Sequence, residues 1–179
     1  MDVKERFNEI YFGPMGIFTG IALCRDRRCI TSTLILAYAA IDGLSFLNPD
    51  VDVECIRYKD RFIAWVNRYL NPKQLGCPAN DLYYARCGLL HDLTAESRGS
   101  QKGIARPLCY AWGNVQPLTE NQMSQIAKGR KVIMIHVDRL LDLLIQGTEV
   151  FRDEVLKNTQ KSKILSERLD KIHVDVLVK

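Results

Sequence analysis

The signature motifs of the common nucleotide-dependent and hydrolytic enzymes are absent from this 179-residue sequence. No Gly-rich loop is followed by Lys, which excludes ATP hydrolysis of the P-loop kind. Gly-x-Ser-x-Gly, His-Glu-x-x-His and the dinucleotide-binding fingerprint are also missing. With only three histidines in the chain, a multi-histidine metal site is disfavoured. We therefore expect neither a metal nor an organic cofactor.

Long hydrophobic runs and targeting signals are likewise missing. The purely apolar stretch from Leu34 to Ile41 is far too short to cross a bilayer. The first six residues mix both signs of charge and lack the shape of a signal peptide. The sequence predicts a cytoplasmic protein that makes no membrane contact.

The six cysteines do not form a metal-binding pattern, because the chain has no Cys-x-x-Cys pair. The closest two, Cys24 and Cys29, are separated by three arginines and one aspartate, an electropositive setting for a zinc ion. Since nothing marks the chain as secreted, we expect reduced thiols, mostly buried, rather than a disulfide framework.

What the chain does have is an ordinary globular composition. Hydrophobic residues make up 47% and charged residues 26%, which suits one folded domain with or without a tail. The net charge of +4 is mildly basic. It allows a polyanionic partner, provided that the excess positive charge is clustered.

Apolar residues recur at helical spacing along most of the chain. This pattern predicts helices over residues 3–12, 17–24, 29–47, 53–70, 80–93 and 137–155, with Asn80 as the N-cap of the fifth. The polar segment 94–105 is predicted to be a loop, and the tail from Thr159 to be helical, packed on the body or on a partner.

The hydrophobic period becomes strand-like in two short segments, 107–112 and 131–136, with one or two helical turns predicted over 118–127 between them. The fold class is therefore mostly α: a helical bundle with a small two-stranded β-hairpin before the last long helix. Residues 1–158 are predicted to form a single domain and 159–179 a C-terminal helical tail. The expected core is Leu34, Ile41, Ile63, Val66, Leu89, Leu141 and Leu144.

One segment of the fifth helix carries polar residues that are unusual for a core helix: Arg86 and His91, five residues apart. Such a spacing is common, and a structural interpretation is available. Arg86 can extend to solvent or pair with Asp42, and His91 can hydrogen-bond a backbone carbonyl near the helix end. Asp42, in the middle of an apolar helix, is interpreted as a supporting polar partner.

The chain resembles the HEPN superfamily over roughly residues 30 to 157. The residues that carry this resemblance are Arg86 and His91, which lie late in a small helical bundle and are followed by a basic loop. The mark of that family is Arg, four to six residues, then His. The resemblance implies an all-α bundle that usually dimerises and often acts as a metal-independent endoribonuclease, in toxin–antitoxin systems or phage defence. Active members commonly carry Asn or Asp directly after the Arg, where this chain has Cys87.

The chemistry that this resemblance implies is attack of the ribose 2′-OH on the adjacent phosphate of single-stranded RNA. His91 would transfer a proton, and its place near a helix C-terminus favours an acid or charge-stabilising role. Arg86 would stabilise charge on the phosphoryl oxygens. Five helical residues separate the two side chains by about 140°. A facing copy of the helix in a homodimer would therefore bring them together more easily than one helix can.

Further residues are candidates for holding RNA. Arg98, Lys102 and Arg106 could contact phosphates, although a solvated loop would look the same. Tyr84 could stack on a base, although such aromatics more often pack in a core or an interface. The partners expected are RNA, a second copy of the chain and an antitoxin protein. The alternative function is a non-catalytic module of the same shape that binds a nucleotide, RNA or a protein.

Overall fold

The computed structural model describes residues 1–94, 96–113, 122, 125 and 131–172. Its main helices are α1 (Val3–Phe12), α2 (Ile17–Asp26), α3 (Ile30–Leu47), α4 (Tyr58–Trp65), α5 (Ala79–Asp92), α6 (Arg98–Gln101), α7 (Val137–Leu156) and α8 (Thr159–Leu169). A π-helical turn, Val66–Leu70, continues α4, and a 3-10 turn, Pro72–Leu75, follows it. Strands β1 (Leu108–Ala111) and β2 (Ile133–His136) precede α7. The mostly α class, with a strand pair before the last long helix, is confirmed.

The two strands are parallel, so the predicted β-hairpin is wrong in its topology. Leu108 pairs with Ile133, and the register continues to Ala111 and His136. A hairpin needs only a tight turn, whereas parallel strands need a crossover of a dozen or more residues. The connection from 112 to 132 is long enough for such a crossover. The helical turns predicted over 118–127 lie outside the described residues, apart from 122 and 125.

Two helix starts differ from the predicted ones. The helix predicted from residue 53 begins at Tyr58, because the Asp52 side chain accepts a hydrogen bond from the Glu54 N–H at 3.0 Å and stabilises a turn instead. Helix α5 begins at Ala79 after Pro78, so Asn80 is not its N-cap. The Asn80 side chain donates instead to the Ile104 carbonyl at 3.1 Å.

The chain divides into two compact units, Met1–Arg61 with Thr148–Lys179, and Phe62–Gly147; the divisions fall inside α4 and α7. In the first unit α8 contacts α1 and α3, and its Leu165 and Leu169 are fully buried. The division of the chain into one domain (1–158) and a tail (159–179) stays a prediction.

Arg168 of α8 lies at the C-terminal end of α3, where helix carbonyls lack intrahelical donors. Its guanidinium donates to the carbonyls of Phe46 at 3.1 Å and Val51 at 2.8 Å, and also to that of Asn48. One side chain thus satisfies three backbone acceptors and joins the last helix to the end of α3.

The second unit has its own core around the π-helical turn, α5, the strands and the start of α7. Five of the seven predicted core residues are buried in one unit or the other: Leu34, Ile41, Val66, Leu141 and Leu144. Ile63 and Leu89 are only half-buried, so that part of the prediction is wrong.

Among the described helices, α3 has the length and mean hydropathy, 1.6, that a membrane span would need. Half of that helix is buried inside the protein, as in the core helices of folded domains.

Phe7, Tyr11 and Phe151 pack in the same unit, with the Phe7 and Tyr11 rings stacked at 4.7 Å.

Replacement of Leu165 by Ala tests the packing of α8. Leu165 is 0% exposed, so we expect a loss of about 2–5 kcal/mol in the free energy of unfolding, measured by urea denaturation. The matched control is Leu23→Ala, since Leu23 is 61% exposed and should change stability by less than about 0.5 kcal/mol. Equal effects of the two substitutions would contradict the packing described here.

Candidate functional site

Helix α5 ends just after the residues of interest. Leu93 adopts a left-handed conformation, φ 52°, and its N–H donates to the Leu89 carbonyl at 3.2 Å. The next N–H, of Thr94, donates to the Gly88 carbonyl at 3.1 Å. The chain therefore turns back sharply, and His91 is left exposed in the last turn of the helix.

Arg86 and His91 meet within a single chain. The Nη1 atom of Arg86 lies 3.2 Å from Nε2 of His91. The angular separation of about 140° is bridged by the long Arg side chain, which bends along the helix surface toward its C-terminus. Arg86 is half-buried and His91 is exposed, so the pair lies at the protein surface. A second copy of the helix is not needed to bring the two groups into contact.

The contact with Arg86 involves one nitrogen of the His91 ring, Nε2. A guanidinium carries only donors, so a hydrogen bond between the two groups requires Nε2 of His91 to be the acceptor. In that state the imidazole is neutral, with its proton on Nδ1. The lone pair on Nε2 suits a base, whereas the position of His91 at the helix end predicted an acid or charge-stabilising role.

Tyr83 and Cys87 lie next to Arg86. The Arg86 Nη1 atom lies 4.0 Å from the Cys87 sulfur. Burial and a hydrogen bond with the Cys87 side chain raise the pKa of Tyr83 to about 12, so its phenol stays neutral. Tyr83 lies three residues before Arg86 and four before Cys87, a spacing that places the three side chains near one another on the helix.

Gly88 makes the sharp return of the chain sterically feasible. A Cβ atom at this position would lie 2.9 Å from the Thr94 carbonyl oxygen and 3.1 Å from that of Glu96. Only a residue without a side chain lets the backbone after α5 pass this close to the helix. We call residues 94 and 96–106 the return segment, because they run back along α5.

The return segment contacts α5 again further along the helix. The ring of Tyr84 lies directly against Gly99, where any side chain would collide with it. Near the start of α5, Asn80 holds the Ile104 carbonyl. These contacts, with the one at Gly88, fix the direction of the segment relative to α5. The Tyr84 ring packs on Gly99, and its role in base stacking stays a prediction.

Arg106, at the end of the return segment, is held by a buried carboxylate. Asp81 accepts the Arg106 Nε at 2.9 Å and the Arg106 backbone N–H at 3.2 Å, and its side chain is 6% exposed. These two hydrogen bonds make Arg106 a structural partner of α5, and 46% of its side chain is exposed. Its contact with RNA stays a prediction.

The remaining predicted site residues fall in two places. Arg98 and Lys102 are exposed at the two ends of α6, which Ser97 and Ser100 stabilise with a reciprocal capping box. They share the second unit with Arg86 and His91, whereas Asp42 belongs to α3 in the first unit. The roles of all three stay predictions.

No protein-family model, curated protein or solved structure matches this chain. Within the described part of the chain, no group of three or more His, Cys, Asp or Glu side chains is arranged to hold a metal ion. The observations at this site are therefore the Arg86–His91 contact and the basic segment that runs beside α5.

His91 and His136, the histidines in the part of the chain that the structure describes, should adopt opposite neutral tautomers. His91 should accept at Nε2 and carry its proton on Nδ1. In His136, Nε2 lies 3.0 Å from the Gly113 carbonyl and Nδ1 lies 3.7 Å from Asp138, and we expect the closer contact to hold the proton on Nε2. Long-range ¹H–¹⁵N NMR at pH about 8.5, where imidazoles are ordinarily neutral, distinguishes the two forms. His91→Gln and His136→Gln assign the signals. A ring proton on Nε2 of His91 would show that the contact with Arg86 is not a hydrogen bond.

Replacement of Gly88 by Ala should disturb the end of α5. The added methyl group collides with backbone, so we expect a loss of about 1–3 kcal/mol in unfolding free energy, measured by urea denaturation. The control is Gly20→Ala in α2, where the nearest atom lies 3.5 Å from the new Cβ and the change should be neutral or stabilising. A neutral Gly88→Ala variant would mean that the chain after α5 does not pass this close.

Proposed function

We propose that this protein is a metal-independent endoribonuclease of the HEPN type that cleaves single-stranded RNA. The observation that carries the proposal is the contact of 3.2 Å between Arg86 and His91 at the exposed end of α5. A donor-only cation and an imidazole lone pair, adjacent and near solvent, are the two groups that cleavage through the 2′-OH requires.

In the proposed reaction, an RNA phosphate approaches the end of α5 and draws the Arg86 guanidinium onto its oxygens. Arginine binds phosphate in a planar, two-pronged geometry, which is stronger than its bond to a neutral ring. Nε2 of His91 is then free to accept the proton of the ribose 2′-OH. The 2′-oxygen attacks phosphorus as the bond to the 5′-oxygen breaks, and the 5′-oxygen takes up a proton from solvent. The products are a 2′,3′-cyclic phosphate and a 5′-hydroxyl. Arg86 stabilises the charge that develops on the phosphoryl oxygens.

RNA rather than DNA is the expected substrate, because this chemistry consumes the 2′-OH. Arg98 and Lys102 on α6 supply exposed positive charge in the same unit, suited to the phosphates that flank the cleaved bond. The resemblance to HEPN proteins also implies a homodimer, an antitoxin partner and a toxin or defence role in the cytoplasm. These remain proposals that no contact within one chain addresses.

Cleavage of labelled single-stranded RNA in the presence of EDTA tests the proposal. His91→Ala should lower turnover by about 10²- to 10⁴-fold, since it removes the proton-transfer group. Arg86→Ala should lower it by about 10²- to 10³-fold through lost charge stabilisation. Lys102→Ala should weaken RNA binding and reduce its salt dependence, with little change in the rate of the chemical step.

Matched controls separate catalysis from folding. His136→Ala removes a histidine of the same unit that contacts a backbone carbonyl, and should cleave as wild type does. Lys73→Ala removes an exposed lysine outside the return segment and should bind RNA normally. If wild type leaves RNA intact but binds it with affinity that depends on Lys102, the non-catalytic binding module is the correct function. Equal cleavage by wild type and His91→Ala would exclude His91 as the base.

A further inference from the structure

Two cysteines occupy the two ends of the turn that joins α2 to α3. Arg28 is left-handed, φ 61°, and its N–H donates to the Arg25 carbonyl at 2.9 Å. The N–H of Cys29 donates to the Cys24 carbonyl at 2.8 Å. These two bonds form a Schellman motif, which frequently brings the first and sixth residues of the turn into side-chain contact. Here those residues are Cys24 and Cys29.

The backbone bond limits the separation of the two cysteines. With standard bond lengths, an N···O distance of 2.8 Å places the Cα atoms less than about 6.7 Å apart. Disulfides form between Cα atoms about 4.4–6.8 Å apart, so the turn already has the required spacing. Cys29 is exposed and Cys24 is half-buried, so a reagent in solution can reach the pair.

The charge around this turn is positive. Arg25, Arg27 and Arg28 are all exposed, and Asp26, 3.4 Å from Arg25, is the one acidic residue between Cys24 and Cys29. Such a cluster raises the local concentration of small anions. An anionic thiol reagent is therefore attracted to Cys24 and Cys29.

Three other cysteines are held in the thiol form, which is not the nucleophilic one. Burial raises the pKa of Cys77 to about 12 and also raises that of Cys109. The exposed Cys55 hydrogen-bonds the Asp52 carboxylate, which raises its pKa as well. Cys55 is therefore a suitable comparison: exposed like Cys29, but beside an acid rather than beside arginines.

We propose that Cys24 and Cys29 are a reversible dithiol–disulfide site that reacts with low-molecular-weight anionic disulfides such as glutathione disulfide. The Cys29 thiolate attacks one sulfur of the reagent and forms a mixed disulfide, and one equivalent of glutathione leaves. The Cys24 thiolate then attacks the Cys29 sulfur and expels the second equivalent. The two thiol protons are transferred to the departing thiolates, so the protein loses two electrons and the reagent is reduced to two thiols. The site is independent of the ribonuclease proposal.

The experiment treats the reduced, folded protein with excess glutathione disulfide, stops the reaction with acid, and alkylates all remaining thiols under denaturing conditions. Intact mass should show two maleimide groups fewer than the six that the fully reduced protein takes up. Peptide mapping is done in a Cys55→Ser background, because the tryptic peptide that begins at Cys29 also contains Cys55. It should show this peptide joined to the one that ends at Arg25.

Substitutions in the turn separate geometry from charge. Arg28→Gly and Arg28→Val remove the same charge, but only glycine adopts the left-handed conformation without strain. We expect the disulfide to form about tenfold more slowly in Arg28→Val than in Arg28→Gly. Cys24→Ser should stop at one glutathione adduct on Cys29, and circular dichroism checks that each variant is folded.

Three outcomes would overturn the proposal. These are the uptake of six maleimides by treated wild type, a cross-link between a different pair of cysteines, and equal rates of reaction in the two Arg28 variants. Reduction with dithiothreitol should restore all six sites, and failure to do so would contradict reversibility.

Discussion

The close passage of the chain over Gly88 is the steric constraint on which the candidate site depends. Because that residue has no Cβ, the carbonyls of Thr94 and Glu96 approach the helix backbone, and α5 ends one residue after His91. The same return directs the segment with Arg98 and Lys102 back along α5. A helix that continued would instead place these cations far beyond His91.

The helix end also explains how two side chains about 140° apart come into contact. Arg86 extends toward the C-terminus of α5 and reaches the ring of a histidine with no further helical turn above it. Since a guanidinium has no acceptor, a hydrogen bond between the two groups makes Nε2 of His91 the acceptor and keeps the arginine close to it. This arrangement supports a base and a phosphate-binding cation within one chain, and it makes no demand on dimerisation.

In the first unit, backbone groups that helix ends leave without intrahelical partners are satisfied by residues outside the helix, either distant in the sequence or in the following turn. Arg168 supplies donors to three carbonyls at the end of α3, although it lies more than a hundred residues away. At the other end of α3, the Schellman turn satisfies carbonyls of α2 and brings Cys24 close to Cys29. At both junctions, carbonyls that the helix end leaves unpaired accept hydrogen bonds from residues outside the helix.

The amino-acid sequence by itself determined the positions of the two strands and of helices such as α1, α3 and α7, in which apolar residues recur at helical spacing. Local periodicity carries that information, because burial of one face imposes it. It also singled out Arg86 and His91 as polar residues in an apolar helix. The distance between them, the parallel direction of β1 and β2 and the engagement of Arg106 by Asp81 were decided only by tertiary structure, whereas the early turn at Asp52 comes from a local hydrogen bond. Those features depend on contacts between residues distant in the chain, or on competing local hydrogen bonds, and neither leaves a periodic trace in the sequence.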